Sequence, residues 1–177
     1  MPDEPVMQRM ARLIAEAQRQ RRNVEGMTVA LNWSCHVPLS SASVALISLS
    51  GAGSCVYEIW QTDGVYKTAV YIGETDDLGR RLGEHRAQGH PNPHFRHANF
   101  DLLSFSYVLV PGQLERQAVE RALWKLYMYQ WNDADGPHGG RAQGWIRLHE
   151  SFPEFYSINF NGARCEMLGV VSPVLLP

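Results

Sequence analysis

Hydrophobic and polar positions follow a strand-like pattern in the middle of the chain. Two segments rich in β-branched and aromatic residues, Val56–Trp60 and Val65–Ile72, flank the turn-forming sequence Thr62-Asp63-Gly64. This arrangement predicts a β-hairpin. Further along, Leu102–Val110 alternates weakly between apolar and polar residues, and we expect a third, buried strand there.

Three other segments have apolar residues at three- and four-residue spacing, which predicts helices. The first is Val6–Arg22, which also carries several arginines. The second runs over Leu78–Gln88, with Thr75 or Asp76 as its N-cap. The third, Leu114–Trp131, is apolar nearly all round and is therefore expected to be central.

The remaining segments give weaker signals. Met27–Trp33 and Ser43–Leu49 resemble strands or short buried segments, and loops are expected at Gly89–Asn99 and at the glycine-rich stretch Asp133–Gly144. Two short apolar segments near the end, Phe155–Phe160 and Met167–Leu176, are expected to be strands packing on the core.

These elements indicate an α+β fold with a small central antiparallel sheet of about three strands flanked by helices. We expect one domain overall, with a central part at 54–132 and elaborations at 1–53 and 133–177. A chain of 177 residues can bury a proper core.

The composition indicates the cellular compartment in which we expect the protein. The chain is 45% hydrophobic and 19% charged, which is typical of soluble globular proteins. Its acidic start does not resemble a signal peptide, and no apolar run is long enough to span a bilayer. The three cysteines, Cys35, Cys55 and Cys165, lack metal-like spacing and fit a reducing compartment. We therefore expect a cytoplasmic protein without membrane association.

The length of the hairpin loop decides whether Tyr57 and Tyr71 share a face of the sheet. A two-residue loop would place them on opposite faces. A three-residue loop with Gly64 in the left-handed conformation would pair Tyr57 with Ala69 and place both tyrosines on one face. A common site requires this second register, which the glycine at the third loop position favours.

The predicted helix Leu78–Gln88 presents two polar side chains on its buried side. Arg81 and His85 share that side with Leu78 and Leu82 at three- and four-residue spacing. Because the leucines pack inward, Arg81 and His85 are expected to be held against the sheet.

Glu120 lies on the predicted central helix. A carboxylate there is costly unless it is paired or bound to a metal. The sequence leaves two interpretations open: a metal ligand, or an ion pair with Arg116 one turn earlier.

Taken together, these residues resemble the GIY-YIG nuclease family. The second signature strand is literal, Tyr71-Ile72-Gly73, whereas the first is degenerate, Cys55-Val56-Tyr57. The alternative Gly64-Val65-Tyr66 matches the letters better but leaves too little chain for two strands and a turn before Tyr71. Arg81 and His85 match the family's helix pattern, and Glu120 and Asn132 match the spacing of its metal-binding Glu and its Asn. The resemblance covers about Ser54–Asn132.

The resemblance implies hydrolysis of DNA phosphodiester bonds with Mg²⁺, for which Mn²⁺ could substitute. It implies that Tyr57 is the general base, that His85 assists it, and that Tyr71 positions the water or the phosphate. Arg81 would bind the phosphate and Glu120 the metal. Asn132 would stabilise the structure of the site. An unperturbed phenol is ionised to about one part in a thousand at neutral pH. Arg81, the metal or His85 must therefore stabilise the phenolate or relay its proton. Glu74 departs from the pattern, because some relatives carry a lysine there.

Within the family, the chain most resembles the restriction endonucleases, which cut double-stranded DNA as homodimers or homotetramers. The alternatives are a homing, repair or mobile-element nuclease, and a catalytically silent nucleic-acid-binding module on the same scaffold. The net charge of −2 requires basic residues to concentrate on one face. The candidates for DNA contact are Lys67, Arg80, Arg86, His94, Arg96 and Arg141, with the N-terminal arginines either contacting DNA or forming a solvated face. For His90, His94 and His97 we prefer phosphate contacts or simple surface to a zinc site.

Overall fold

The computed structural model describes residues 28–127, 129–132, 147–151, 157–158 and 164–167. The predicted helix Val6–Arg22, the loop Asp133–Gly144 and most of the two C-terminal apolar segments lie outside these residues.

The centre of the fold is a six-stranded antiparallel sheet. Its strands are β2 (Val37–Pro38), β3 (Cys55–Thr62), β4 (Tyr66–Thr75), β5 (Leu103–Leu109), β7 (Ser157–Ile158) and β8 (Arg164–Met167). Their order across the sheet is β2-β5-β3-β4-β8-β7. The predicted hairpin and third strand are confirmed as the three central strands. A separate parallel pair joins β1 (Thr28–Asn32) to β6 (Arg147–Ser151), so the strand expected at Met27–Trp33 is also confirmed.

Helices cover both faces of this sheet, which confirms the α+β class. They are α1 (Ser41–Ser50), α2 (Leu78–Arg86), α3 (Pro93–Arg96) and α4 (Gln113–Leu126), with a 3₁₀ turn at Phe100–Leu102. In the described ranges, none of the helices has the length and apolar character needed to cross a membrane.

The two faces of the sheet have separate apolar cores. On one face, Val119 and Leu123 of α4 pack with Trp60 and Ile72. On the other face, Leu82 of α2 belongs to a cluster that includes Tyr57, Leu78, Phe95 and Trp131. The sheet is therefore a middle layer between α4 and the group α1–α3.

The prediction of a strand or buried segment at Ser43–Leu49 is wrong, because this segment belongs to α1. The Ser40 side chain caps the helix by accepting from the Ser43 amide, and Gly51 ends it with a φ of 66°. Val44 and Ile47, three residues apart, pack partly on the core. The apolar positions follow the period of a helix that touches the core along a narrow stripe.

The boundary between β4 and α2 also differs from the prediction. The strand does not break at Gly73 but continues to Thr75, and the N-cap is Asp77, whose side chain accepts from the Arg80 amide. The helix ends at Arg86, two residues before the predicted end.

The central helix is shorter than predicted. It ends at Leu126 rather than Trp131, and Tyr127 has the extended angles φ −122° and ψ 143°. Tyr127 and Trp131 therefore do not continue the helical stripe of Glu120. The physical reason is a competing partner: the Trp131 amide donates to the Val70 carbonyl at 2.8 Å, on the outer edge of β4.

The segment expected to be a loop at Gly89–Asn99 contains the short helix α3. Asn92 caps it by accepting from the His94 amide, and Pro93 stands in its first turn. Sequence periodicity could not reveal a helix of one turn.

The predicted register of the hairpin is wrong, although both tyrosines do share a face. Gly64 has the expected positive φ of 89°, but the three-residue loop lies one position later, at Asp63–Val65, and Thr62 pairs with Lys67. A bulge then adds Val70 to β4: Trp60 pairs with Ala69, and Ile59 pairs with Tyr71. Because side chains alternate along a strand, this extra residue moves Tyr71 onto the face of Tyr57.

Candidate active site

Tyr57 lies at the centre of the site and is fully buried. Its cross-strand neighbour is Gly73, and a Cβ at Gly73 would stand 2.5 Å from the Tyr57 hydroxyl oxygen. The tyrosine ring therefore occupies the space that any other residue at 73 would fill. This contact gives the final glycine of Tyr71-Ile72-Gly73 a physical role.

Two side chains of α2 reach the Tyr57 hydroxyl. His85 Nε2 lies 2.8 Å from the hydroxyl oxygen, and the Nε–H of Arg81 donates to it over 3.3 Å. The predicted placement of Arg81 and His85 against the sheet is thus what the structure shows.

Tyr71 is partly exposed and lies beside Tyr57, with ring centroids 6.1 Å apart. Burial raises the pKa of Tyr71, and the Arg81 guanidinium opposes this. Burial raises the pKa of Tyr57 well above its usual range, the neighbouring Tyr71 adds to this, and the Arg81 guanidinium opposes it. The site thus contains a buried phenol held against ionisation and a cation that favours ionisation.

His85 is buried under the ring of Phe95, with ring centroids 4.1 Å apart. Burial lowers the pKa of His85 to about 2, and the positive charge of Arg81 contributes. The imidazole is therefore neutral at any working pH.

A polar cleft of about 300 Å³ shares Arg81 with this group of residues. It lies where β4 ends and α2 and α4 begin, and its walls are Glu74, Thr75, Asp76, Arg80, Arg81, Gln113 and Arg116. Each of its three arginines pairs with a nearby carboxylate, and their guanidinium groups are of the kind that bind phosphate.

Glu120 lies on α4 and is mostly buried, and the ion pair with Arg116 that we considered is not formed. Arg116 instead donates from Nε to Glu74 Oε2 at 2.9 Å. Burial raises the pKa of Glu120 to about 7, and the Glu74 carboxylate contributes, while the Glu74 amide and Arg81 act in the opposite direction. No described cation lies within ion-pair distance of Glu120.

A divalent cation fits this environment. The Glu120 carboxylate is destabilised in its charged form by burial and by Glu74, and a bound cation would relieve that cost. Among the described residues, no three His, Cys, Asp or Glu side chains cluster around one point, so water or phosphate would have to complete the coordination.

Asn132 lies beyond the end of α4, not on it, and is hydrogen-bonded to β4. Its Oδ1 accepts from the Ile72 amide at 2.9 Å, and its Nδ2 donates to the Ile72 carbonyl at 2.8 Å. The side chain thus bonds the strand edge between Tyr71 and Gly73 as a neighbouring strand would.

The comparison with known families matches the same part of the chain. Residues 53–134 match the model of the GIY-YIG catalytic domain. No curated protein and no solved structure matches the chain. The GIY-YIG match begins two residues before β3 and ends two residues after Asn132, so it spans all six candidate site residues. A match to this catalytic domain indicates nuclease activity.

Of the two tyrosines considered for the first signature, Tyr57 is the one that lies with Arg81 and His85. Tyr66 and Val65 are exposed at the hairpin loop, away from Arg81 and His85. Tyr57 instead meets both of these residues.

Several candidate DNA-contact residues make intramolecular contacts. Arg80 pairs with Asp76 and Glu84, and His94 stacks on Trp131. Arg86 donates to the Leu39 carbonyl and Ser41, and Arg96 donates to the His90 carbonyl. Lys67 is partly buried on β4, and Arg141 lies outside the described residues. Their contact with DNA stays a prediction.

Sequence reasoning missed His90 as a member of this group. Its Nε2 lies 3.2 Å from Nδ1 of His85, and its ring packs against Phe95. His90 follows the end of α2, so no helical spacing connects it to Arg81 and His85. The histidine content of Gly89–Asn99 was the only available signal.

Proposed function

We propose that this protein is a Mg²⁺-dependent endonuclease that hydrolyses phosphodiester bonds in double-stranded DNA. The observation that supports this most strongly is the convergence of Arg81 and His85 on the Tyr57 hydroxyl, with Arg81 also lining the polar cleft. The nuclease activity indicated by the GIY-YIG match agrees with it.

In this proposal, Arg81 has two tasks. It lines the cleft, where its guanidinium can bind a phosphoryl oxygen, and it donates to the Tyr57 hydroxyl. A phosphate in the cleft would therefore be held close to the group that acts as general base.

Tyr57 would act in its phenolate form by taking a proton from the attacking water. The water oxygen then bonds to phosphorus while the bond to the 3′ oxygen breaks, and the departing oxygen takes a proton from solvent. Tyr71 lies beside Tyr57 and is partly exposed, so in this proposal it orients the water or the phosphate.

Glu120 would hold the metal, and Asn132 would fix the backbone of β4 between the two signature positions. A Mg²⁺ ion bound to one carboxylate keeps most of its waters and supplies positive charge for the phosphoryl oxygens. Mn²⁺ is expected to substitute for it.

We further propose a site-specific enzyme of the restriction type, cytoplasmic and acting as a homodimer or homotetramer. The matched segment is flanked by additional strands at both edges of its sheet rather than by a second unit among the described residues. A homing, repair or mobile-element nuclease is the alternative enzyme.

The experiment is incubation of supercoiled plasmid with the protein and Mg²⁺, with EDTA in a parallel reaction. Discrete fragments that disappear with EDTA support a site-specific enzyme, whereas a smear supports a nonspecific nuclease. An intact plasmid with a mobility shift would contradict the nuclease proposal and indicate a binding module.

Glu120→Ala tests the metal role in the same assay. We expect a loss of about a thousandfold or more, because the site would lose its metal ligand. Glu115→Ala, a half-buried carboxylate in the first turn of the same helix, is the matched control and should keep cleavage. Full activity of Glu120→Ala would contradict the metal role.

A further inference from the structure

A line of hydrogen bonds connects the backbone before α3 to the proposed general base. The Asn92 amide donates to His90 Nδ1 over 3.1 Å. His90 Nε2 lies 3.2 Å from His85 Nδ1, and His85 Nε2 lies 2.8 Å from the Tyr57 hydroxyl oxygen.

The first bond fixes the direction of all the others. A backbone amide can only donate, so His90 Nδ1 must carry a lone pair and the proton of His90 must be on Nε2. That proton can only point at His85 Nδ1, which is therefore the acceptor. His85 then carries its own proton on Nε2 and donates it to the Tyr57 oxygen.

The surroundings keep both rings in this neutral state. His85 and His90 each contact the apolar ring of Phe95, with centroids 4.1 and 5.1 Å apart. Burial lowers the pKa of both imidazoles, and the Arg81 charge acts on them in the same direction.

We propose that His90 is a positioning residue that fixes the tautomer of His85. In this tautomer His85 donates a hydrogen bond to the Tyr57 oxygen and does not accept one from the Tyr57 hydroxyl. The Tyr57 oxygen then has two donors, His85 Nε2–H and Arg81 Nε–H. Both donors favour a phenolate over a phenol. His85 thereby stabilises the phenolate and does not relay its proton.

The effect on rate rests on the proposed nuclease function, whereas the tautomer does not. We therefore choose two substitutions of His90 whose new side chains have the same shape as each other, and two measurements. His90→Gln retains a donor N–H₂ group toward His85 Nδ1. His90→Glu replaces that donor with an acceptor, which forces the proton of His85 onto Nδ1 and leaves Nε2 as the acceptor of the Tyr57 proton.

The first measurement is two-dimensional ¹⁵N–¹H NMR of the histidine rings, with the His85 signals assigned by their loss in His85→Asn. We expect His85 to be protonated on Nε2 in the unmodified protein and in His90→Gln, and on Nδ1 in His90→Glu. A His85 protonated on Nδ1 in the unmodified protein, or the same tautomer in all three proteins, would overturn the proposal.

The second measurement is single-turnover cleavage at saturating protein, so that DNA affinity does not contribute. We expect His90→Glu to be slower by about 10- to 100-fold and His90→Gln to stay near the unmodified rate, since an orienting partner has effects of that order. Gln88→Ala, an exposed residue just before the segment that contains His90, is the control. A correct tautomer switch with unchanged cleavage would overturn the role of His90 in the reaction, while absence of cleavage in the unmodified protein would contradict only the nuclease proposal.

Discussion

Tyr57 of β3 is the cross-strand neighbour of Gly73 on β4, and its hydroxyl lies where the Cβ of a side chain at 73 would stand. This relationship joins the two signature strands into one site, because it places the buried phenol of β3 directly against β4. The bulge at Val70 completes the arrangement by turning Tyr71 to the same face.

The contact predicts a specific sensitivity to a single methyl group. Gly73→Ala should displace the Tyr57 ring from Arg81 and His85, reduce cleavage by about a hundredfold or more, and cost about 1–3 kcal/mol of stability. Cleavage rates and urea unfolding would measure both effects.

The matched control is Gly83→Ala on α2, where an added Cβ would be 4.0 Å from its nearest neighbour, Val44. This change should leave cleavage intact and stabilise the protein by about 0.5–1 kcal/mol, since glycine is unfavourable inside helices. Equal cleavage by Gly73→Ala and Gly83→Ala would contradict the role of the contact.

Asn132 should act through the backbone of Ile72. Asn132→Asp retains an acceptor for the Ile72 amide but places a second oxygen against the Ile72 carbonyl. We therefore expect the free energy of unfolding to fall by about 1–3 kcal/mol. Hydrogen exchange of the Ile72 amide should become faster in Asn132→Ala, where the acceptor is absent. Unchanged exchange at Ile72 would show that Asn132 does not hold the strand.

His85 predicts how stability depends on pH. Its pKa is about 2 in the folded protein and near the ordinary 6.5 when unfolded, so below pH 6.5 the unfolded state binds the additional proton. The contribution of His85 to stability is fully present above pH 6.5 and falls by up to about 1.4 kcal/mol per pH unit below it. Unfolding at pH 5 and 7 should show a smaller difference for His85→Asn than for the unmodified protein. An equal difference would contradict burial of a neutral His85 between Arg81, His90 and Phe95.

Much of the central fold was predictable because its signals are local. β-Branched and aromatic runs around Asp63-Gly64 specify the hairpin, and the inward leucines of α2 place Arg81 and His85 against it. The register was not predictable, because it depends on the bulge at Val70, whose carbonyl accepts from the distant Trp131 amide.

Other parts of the site depend on long-range pairing in the same way. The sequence allows an ion pair between Arg116 and Glu120, one turn away. In the structure Arg116 pairs instead with Glu74, which lies 42 positions earlier in the sequence. The end of α4 at Leu126 likewise follows from bonds of Trp131 and Asn132 to β4. Local periodicity contains no information about such partners.

The most direct test of the central claim compares two tyrosine-to-phenylalanine variants in single-turnover DNA cleavage with Mg²⁺. Tyr57→Phe removes the hydroxyl that meets Arg81 and His85, whereas Tyr66→Phe removes one from the exposed residue of the alternative motif Gly64-Val65-Tyr66. We predict that Tyr57→Phe loses about 100- to 10,000-fold in rate while Tyr66→Phe cleaves like the unmodified protein. Normal cleavage by Tyr57→Phe, or a comparable loss in Tyr66→Phe, would contradict the assignment of this site.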